Sequence, residues 1–196
     1  GKNALGAGGG RGIGKAIALE LAREGANVAI ASRTLEELEK SAQEIEEETG
    51  RSVFPLKIDV IQRDQVDRGI SEVASKLGGL NILVNSASLP GGSPNAIGPI
   101  ETISDDDLLS DFDVKYLGAL RCSRAAIPFM KEQRWGRIIN ISGGNARTTG
   151  NLSGGARNVS LVHLTKTLSN QIGRFGITVN CIHPGTTRTE RTAKLL

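Results

Sequence analysis

The sequence contains few of the residues that build disulfide frameworks and metal sites. Its two cysteines, Cys122 and Cys181, are isolated, which is typical of reduced thiols and argues against a disulfide or zinc framework. Its two histidines, His163 and His183, have no carboxylate partners at the spacing of metal ligands. We therefore expect neither a disulfide nor a metal site.

Extremes of charge and long apolar runs are also missing. The formal net charge of +3 is interspersed along the chain without a basic stripe, so we expect no nucleic-acid partner. No apolar run reaches the roughly 20 residues that a bilayer span requires, so we expect no membrane association. Neither end carries a basic segment followed by an apolar one, as a secretory signal would, which favours a cytoplasmic location.

The sequence does contain a regular alternation of short apolar runs with helical periodicity. The runs are near-continuous, which is typical of parallel strands buried on both faces. This alternation predicts an α/β fold: a Rossmann-like, doubly wound parallel sheet flanked by helices in three layers. The length of 196 residues predicts a single domain over residues 1–196. Strands are predicted at residues 3–7, 27–32, 52–58, 80–86, 137–142 and 177–182.

Residues typical of helix ends lie between these strands. Thr34 and Glu37 form the pattern of a capping box, and Gly50 is placed to end that helix in a left-handed conformation. Leu35 begins the predicted apolar face of the same helix. Ser104, followed by three aspartates, opens a later helix. Longer helices are expected at about residues 107–133 and 155–174, and an irregular loop at residues 87–103.

A glycine-rich loop, Gly8-Gly9-Gly10-Arg11-Gly12-Ile13-Gly14, joins the first strand to the first helix. Gly8 permits a sharp turn, Gly12 lets the backbone approach a phosphate, and Gly14 lets the helix pack against the sheet. The exposed amides and the helix dipole would attract an anion. A loop in this position predicts a dinucleotide-binding site that includes Gly10, Arg11 and Ile13.

The end of the second predicted strand indicates which dinucleotide is bound. An acidic residue there would hold a ribose 2′-hydroxyl group, but this chain has Ser32 and Arg33. Arg33 and Arg11 offer two guanidinium groups for a 2′-phosphate, which favours NADP(H) over NAD(H). The alternative is that both arginines are ordinary surface residues.

These features, together with several later segments, resemble the short-chain dehydrogenase/reductase family. The spacing of Gly8, Gly12 and Gly14 is that family's glycine pattern, and residues 136–142 resemble the strand that leads to its catalytic serine. Family members usually continue beyond the point where this chain stops, so a C-terminal segment of the family fold is expected to be absent. The resemblance implies further cofactor contacts at Asp59, Val60, Asn85, Ser86, Ala87, Pro184, Gly185, Thr187 and Thr189.

The resemblance fails at the catalytic positions. In the family a tyrosine exchanges the proton, a lysine lowers its pKa, and a serine and an asparagine complete the site. The register of the segment ending at Lys166 places Gly154 at the tyrosine position and Asn158 at the lysine position. Gly143 falls at the serine position and Lys115 at the asparagine position. The chain is therefore expected to be a divergent member without the Tyr-x-x-x-Lys pair.

Lysine and asparagine have exchanged places between two of these positions. We hypothesise that Lys115 restores the lost cation and that Ser142, one residue before the serine position, helps to orient a substrate oxygen. Asn158 and Arg157 complete the candidate catalytic set, since Arg157 lies about 60° from Gly154 around a helix. The alternative is that Lys115 is a solvated helix residue and Arg157 a surface charge.

Three functions are consistent with these observations, of which the third is a scaffold whose fold the nucleotide only stabilises. The first is an NADP(H)-dependent oxidoreductase with an atypical active site, acting on a small carbonyl or alcohol substrate. The second is a catalytically silent NADP(H)-binding sensor or partner subunit. Tyr116, the single tyrosine, is expected to pack in the core and not to serve as an acid. The resemblance also implies a homodimer or homotetramer, because relatives pair the two long helices between subunits.

Overall fold

The strands form one parallel sheet in the order that is typical of dinucleotide-binding folds. The structure, a computed structural model, describes residues 1–89, 91–190 and 192. Within them the sheet has six strands in the order β3-β2-β1-β4-β5-β6, all paired in parallel. The strands are β1 Asn3–Ala7, β2 Asn27–Ser32, β3 Val53–Lys57, β4 Ile82–Asn85, β5 Gly136–Ile141 and β6 Ile177–Ile182. This order confirms the predicted doubly wound fold.

Helices cover both faces of the sheet and bury two separate apolar clusters. Ala18 and Leu38 pack with Ile30 on one face, whereas Ile70 and Met130 lie in the cluster on the other. Burying a side chain of this size contributes about 1.5–3 kcal/mol, so both faces of the sheet stabilise the fold. The helices are α1 Gly12–Arg23, α2 Leu35–Thr49, α3 Arg63–Leu77, α4 Asp105–Phe112, α5 Gly118–Glu132 and α6 Leu152–Ile172. In the described part of the chain, no helix is both long and apolar enough to cross a membrane.

The N-terminal end of α2 differs from its prediction. Thr34 is the N-cap residue, but its side chain makes no capping hydrogen bond, so the predicted capping box is wrong. Glu37 instead lies 3.5 Å from the Arg11 guanidinium, which diverts its carboxylate from the helix end. Leu35 is 41% exposed and does not join the buried face. Gly50, with φ of 68°, ends the helix as expected.

Ser104 opens α4 as predicted, but the helix expected at about residues 107–133 is not continuous. It begins at Asp105, because the Ser104 hydroxyl accepts a hydrogen bond from the Asp107 amide at 3.3 Å. A π-helical turn, Asp113–Leu117, then separates α4 from α5. Such turns are rare and are frequently found at functional sites. Lys115 lies in the middle of this turn.

The last long helix and three strands also differ from their predicted bounds. α6 begins three residues before the predicted start, because the Asn151 side chain caps it by accepting a hydrogen bond from the Gly154 amide at 2.6 Å. β3 and β4 are shorter than predicted at both ends, and β5 begins and ends one residue earlier. The predicted loop contains two short 3₁₀ turns, Pro94–Ala96 and Ile100–Thr102.

Candidate active site

The glycine loop brings three pieces of backbone into close contact at the carboxyl end of β1. Gly8 has φ of 85°, and its amide donates to the Ala31 carbonyl at 2.7 Å. A Cβ atom at Gly8 would lie 2.5 Å from the Ala87 amide nitrogen, and one at Gly14 would collide with the Gly8 carbonyl. No side chain fits at either position. The loop therefore presents bare backbone between β1 and β4, where the direction of the sheet winding reverses.

The first amide of α1 already holds an anionic group. The Gly12 amide donates to a carboxylate oxygen of Glu190 at 3.2 Å. The Thr189 side chain lies 3.6 Å from the position that a Gly12 Cβ would occupy, so the loop after β6 closes over the glycine loop. Because helix N-termini attract anions, the Glu190 oxygen stands in for a phosphate oxygen here. The residues present therefore fit the pyrophosphate of a dinucleotide.

The region that would select the dinucleotide carries two cations and one carboxylate. Arg33 is exposed at the end of β2, and the Arg11 side chain is 64% exposed. Glu37, which the sequence analysis assigned to a helix cap, pairs with Arg11 at 3.5 Å. Such an exposed pair is worth at most about 1 kcal/mol. Arg11 is thus available to a stronger anion, such as a phosphate.

Asn85 has a role within the protein that its motif did not indicate. Its side-chain amide donates to the Asn140 side-chain oxygen at 2.8 Å. Asn140 in turn donates to the Thr165 hydroxyl at 2.9 Å. This buried chain joins β4 and β5 to α6. The Asn85 side chain therefore braces the carboxyl end of the sheet, while the Ser86 amide pairs with the Ala7 carbonyl at 2.8 Å.

The remaining cofactor candidates lie at the carboxyl edge of the sheet, near the ends of β1, β2, β3 and β6. Asp59 follows β3, and its carboxylate accepts a hydrogen bond from the Ile61 amide at 3.3 Å. Val60 is buried, with its side chain against Gly118. After β6, the Thr187 hydroxyl donates to the Gly185 carbonyl at 3.1 Å. Gly10 and Ser32 pack together beside α2, and Pro184 passes near the turn that follows β5.

Lys115 is buried and faces the end of β5. Its side chain is 8% exposed, and its ammonium group donates to the Ser142 carbonyl at 3.0 Å. Burial, together with the nearby charge of Arg157, lowers the pKa of Lys115 to about 8. The interpretation of Lys115 as a solvated residue is therefore wrong. An amine with a pKa near neutrality can give and take protons under physiological conditions.

The Ser142 side chain belongs to the same cluster. Its hydroxyl donates to the Asn158 backbone carbonyl at 3.1 Å, which ties β5 to α6. Cys181 on β6 also adjoins this group, and burial raises the pKa of its thiol. A thiol with a raised pKa stays neutral at pH 7 and is a poor nucleophile.

Arg157 is not on the surface, and its partner is a carboxylate that the sequence analysis missed. The Arg157 side chain is buried, lies 3.7 Å from Asp111 and donates to the Leu89 carbonyl at 3.2 Å. Asp111 is fully buried and also accepts hydrogen bonds from the Ser93 amide at 3.0 Å and from the Ser153 hydroxyl. Local spacing gave no signal for this pair, because Asp111 and Arg157 lie on different helices.

The two glycines that the register predicts at the family's tyrosine and serine positions adjoin amide side chains. A Cβ atom at Gly143 would lie 2.7 Å from the Asn158 side-chain nitrogen. One at Gly154 would lie 2.8 Å from the Asn145 side-chain nitrogen and 2.8 Å from the Asn151 side-chain oxygen. The glycines at these positions are thus matched to neighbouring asparagines. Restoring a tyrosine at residue 154 would require both neighbours to move.

Tyr116 lies outside this cluster. It lines an apolar groove between α5 and α6, beside Leu120 and Leu164, and its ring centroid is 4.7 Å from that of Phe112. Tyr116 packs against the buried cluster of Ala119, Leu161 and Leu164, as predicted, although its side chain is only half-buried. His163 lines the same groove and is exposed.

Comparisons with known proteins agree with this architecture. A family model described as short chain dehydrogenase matches residues 2–196. The 3-oxoacyl-(acyl-carrier-protein) reductase FabG of Staphylococcus aureus is 34% identical over 186 residues, which cover 94% of this chain and 74% of that protein.

Two solved structures are also similar to this chain. The L-sorbose reductase of Gluconobacter frateurii, complexed with NADPH and L-sorbose, has a TM-score of 0.91 at 30% identity, covering 100% of this chain and 73% of its own. An NAD⁺-bound xylitol dehydrogenase has a TM-score of 0.87 at 28% identity, and the match covers 94% of this chain and 70% of that chain. The strand order, the bare glycine loop and a family match over nearly the whole length lead to one conclusion: this chain belongs to the short-chain dehydrogenase/reductase family of oxidoreductases.

Proposed function

We propose that this protein is an NADP(H)-dependent oxidoreductase that interconverts a small carbonyl compound and its alcohol without the family's Tyr-x-x-x-Lys pair. The observation that carries the proposal is the burial of Lys115, with a pKa of about 8, at the carboxyl end of β5. Buried ionisable groups with shifted pKa values cluster at functional sites. The preserved glycine loop lies at the same edge of the sheet.

Backbone groups would hold the cofactor. The amide of Gly12 and the side-chain-free surfaces of Gly8 and Gly14 suit a pyrophosphate, and Arg11 and Arg33 suit a 2′-phosphate. The NADPH in the L-sorbose reductase structure supports this choice, whereas the NAD⁺ of the xylitol dehydrogenase shows that similar proteins differ in cofactor. When bound, the dinucleotide supplies or accepts the hydride. Further contacts are proposed at the candidate positions described above.

Lys115 would supply the proton that the missing tyrosine cannot. An ammonium group has three N–H donors, and the Ser142 carbonyl takes one of them. The remaining two can hold a carbonyl oxygen and pass a proton to it as the carbon accepts hydride. The charge of Arg157 favours this release by lowering the pKa of Lys115. A positioned general acid is worth about 10²–10⁴ in rate.

Ser142 and Asn158 would act by positioning Lys115. The Ser142 hydroxyl is bound to the Asn158 carbonyl, and the Ser142 carbonyl is bound to Lys115. These two hydrogen bonds fix the end of β5 between α6 and the π-helical turn. In this arrangement the serine hydroxyl is directed at the protein and not at a substrate.

The second candidate function is an NADP(H)-binding sensor or partner subunit without turnover. The observation that favours it is the filling of the tyrosine position by Asn145 and Asn151, together with the engagement of the Ser142 hydroxyl. Both candidates require the glycine loop to bind the dinucleotide. They differ only in whether hydride moves.

One experiment separates these functions. NADPH would be titrated by calorimetry into the wild-type protein, Lys115→Met and the matched control Lys166→Met, whose side chain is exposed on α6. NADPH oxidation would then be followed with a panel of small carbonyl compounds. Binding by all three proteins, with turnover lost only in Lys115→Met, supports the reductase. Binding without turnover supports the sensor, and no binding contradicts both.

We also propose that the protein forms a homodimer or homotetramer through α5 and α6. The groove between these helices is lined by Tyr116, Leu120 and Leu168, and Val159 on α6 is 51% exposed. Exposed apolar area of this kind marks interaction surfaces. Analytical ultracentrifugation measures the state directly, and a monomer at high concentration would contradict the proposal.

A further inference from the structure

The buried charges at the active-site end of the sheet do not balance. Among the residues that the structure describes, three charged side chains are buried: Asp111, Lys115 and Arg157. All three belong to one cluster, in which Arg157 adjoins both Asp111 and Lys115. Two cations and one carboxylate leave a net charge of +1. Burying such a charge without a partner is costly.

The single carboxylate in this cluster is already saturated by protein donors. Asp111 accepts hydrogen bonds from the Ser93 amide and hydroxyl, at 3.0 and 2.8 Å, and from the Ser153 hydroxyl, and it lies 3.7 Å from Arg157. These contacts hold the loop after β4 against α4 and α6. Asp111 therefore neutralises Arg157 and has little capacity left for Lys115.

The cations, by contrast, retain unused donors. Lys115 places one of its three N–H groups on the Ser142 carbonyl. The buried Nε atom of Arg157 has no hydrogen-bond partner among the described residues. Buried donors without partners are rare in folded proteins and call for an explanation. A bound anion would satisfy both the donors and the excess charge.

The location of the cluster indicates whether such an anion belongs to the substrate or to the cofactor. Ser142 follows β5, Leu89 follows β4, and Cys181 lies near the end of β6, so the cluster lies outside the carboxyl ends of these strands. Ligands of open α/β sheets bind at this edge. The glycine loop that would hold the phosphates follows β1, in the other half of the sheet. The excess charge therefore faces the substrate end and not the phosphate end.

We propose that the substrate is an oxo acid whose carboxylate binds between Lys115 and Arg157. The inference rests on the proposed function and specifies its substrate class. In the reaction the carbonyl carbon gains a hydride from NADPH and the carbonyl oxygen gains a proton from Lys115. The products are a hydroxy acid and NADP⁺; the carboxylate is unchanged, and Lys115 regains its proton from water.

The size of the excess charge favours a carboxylate over a phosphate. A carboxylate brings one negative charge, which matches the net +1 of the cluster. A phosphate monoester brings about 1.5–2 negative charges at pH 7 and would leave the site over-neutralised. The protonated form of Lys115 is required, so anion binding should weaken as pH rises through 8. The groups that face Lys115 are Arg157 from α6, Cys181 from β6 and Ser142 from β5.

Calorimetry with matched ligands tests this inference without relying on turnover. An unreactive carboxylic acid, its primary amide and a phosphate ester of the same chain would be titrated into the NADPH-loaded protein and into the protein alone. We expect the acid to bind at least tenfold more tightly than the amide. This preference should disappear in Lys115→Met, weaken in Asp111→Asn/Arg157→Met, which loses the Arg157 donors but keeps the net charge of Lys115, and persist in Lys166→Met.

The outcomes distinguish a failure of the oxo-acid inference from a failure of the proposed function on which it rests. Equal binding of acid and amide, or tighter binding of the phosphate ester, overturns the oxo-acid assignment while leaving NADPH binding intact. Absence of NADPH binding contradicts the proposed function, and the titration of the protein alone then still decides whether the cation pair takes a carboxylate. With substrates, kcat/KM should favour an oxo acid over its methyl ester by at least tenfold; the reverse preference contradicts the inference.

Discussion

The two ends of the candidate site are built from different parts of the chain. At the β1 end the functional groups are backbone amides, and Gly8 and Gly14 leave no space for a side chain. At the β5 end the functional groups are side chains, chiefly Lys115 and Arg157. A site made of backbone keeps its chemistry as long as the fold persists. A site made of side chains can be rebuilt by a few substitutions, and the sequence register predicts that the family's residues are replaced here.

Glycine illustrates this difference, because it occurs at both ends for opposite reasons. Gly14 is needed because a Cβ atom would collide with the Gly8 carbonyl, which cannot move without moving the strand. Gly154 instead adjoins the side chains of Asn145 and Asn151, which can rotate. The first glycine is required by fixed backbone, and the second lies where a larger side chain would need two asparagine side chains to move.

The largest expected effect comes from breaking the buried ion pair at the β5 end. Arg157→Met leaves the fully buried Asp111 without its cation, so we expect a loss of about 3–5 kcal/mol in the free energy of unfolding. Urea denaturation measures this change. The double variant Asp111→Asn/Arg157→Met should recover most of it, and equal losses in both proteins would show that the pair is not coupled.

Removing the Lys115 cation should instead raise the free energy of unfolding. The pKa of Lys115 is lowered from 10.5 to about 8, so below pH 8 the folded protein carries a buried charge that costs about 3 kcal/mol. Lys115→Met should therefore be more stable than wild type at pH 7. As the pH rises from 8 to 10.5 the folded wild type releases its proton first and gains stability, so the difference should shrink. A gain that does not depend on pH would contradict the burial of a charged lysine.

A methyl group added at Gly14 tests the β1 end of the site, where the candidate binding groups are backbone amides. Gly14→Ala forces the Gly8 carbonyl to move, and we expect a loss of about 1–3 kcal/mol of stability and a marked loss of NADPH affinity. Gly173→Ala is the matched control, because nothing lies within 4 Å of its Cβ position. Thermal unfolding and calorimetric titration measure both effects. Unchanged NADPH affinity in Gly14→Ala would indicate that the dinucleotide does not use this loop.

The smallest expected effect concerns cofactor choice. Arg33→Ala should weaken NADPH binding about tenfold, roughly 1.4 kcal/mol, and leave NADH binding unchanged, because an exposed guanidinium recognises only the 2′-phosphate. Competitive titration of the two cofactors measures the ratio. Equal losses for both would assign Arg33 a role away from the 2′-phosphate.

The fold and the glycine loop could be predicted because they depend on local signals. Apolar runs and helix ends are properties of neighbouring residues, and their alternation predicts a parallel sheet flanked by helices. The contact between Gly12 and Glu190 joins residues 178 positions apart, and no local signal indicates it. The failed cap at Thr34 has the same cause, since Arg11 draws Glu37 away.

Candidate residues for the catalytic end could be proposed from the sequence, but their surroundings could not. The register drew attention to Lys115 and Arg157, and that choice stays a prediction, since periodicity gives the direction of a side chain around a helix and not its burial. The pairing of Gly143 with Asn158 depends on how β5 meets α6, and the pairing of Arg157 with Asp111 depends on how α4 meets α6. Such contacts follow from tertiary packing. Motifs alone do not encode them.

The most direct test of the account is the single-turnover rate of NADPH oxidation, with an active carbonyl substrate, measured on both sides of pH 8. If Lys115 supplies the proton, the wild-type rate should fall as the pH rises above about 8, and Lys115→Met should be slower by about 10²–10⁴ with no such pH dependence. A Lys115→Met protein that oxidises NADPH at the wild-type rate and with the wild-type pH profile would contradict the central claim.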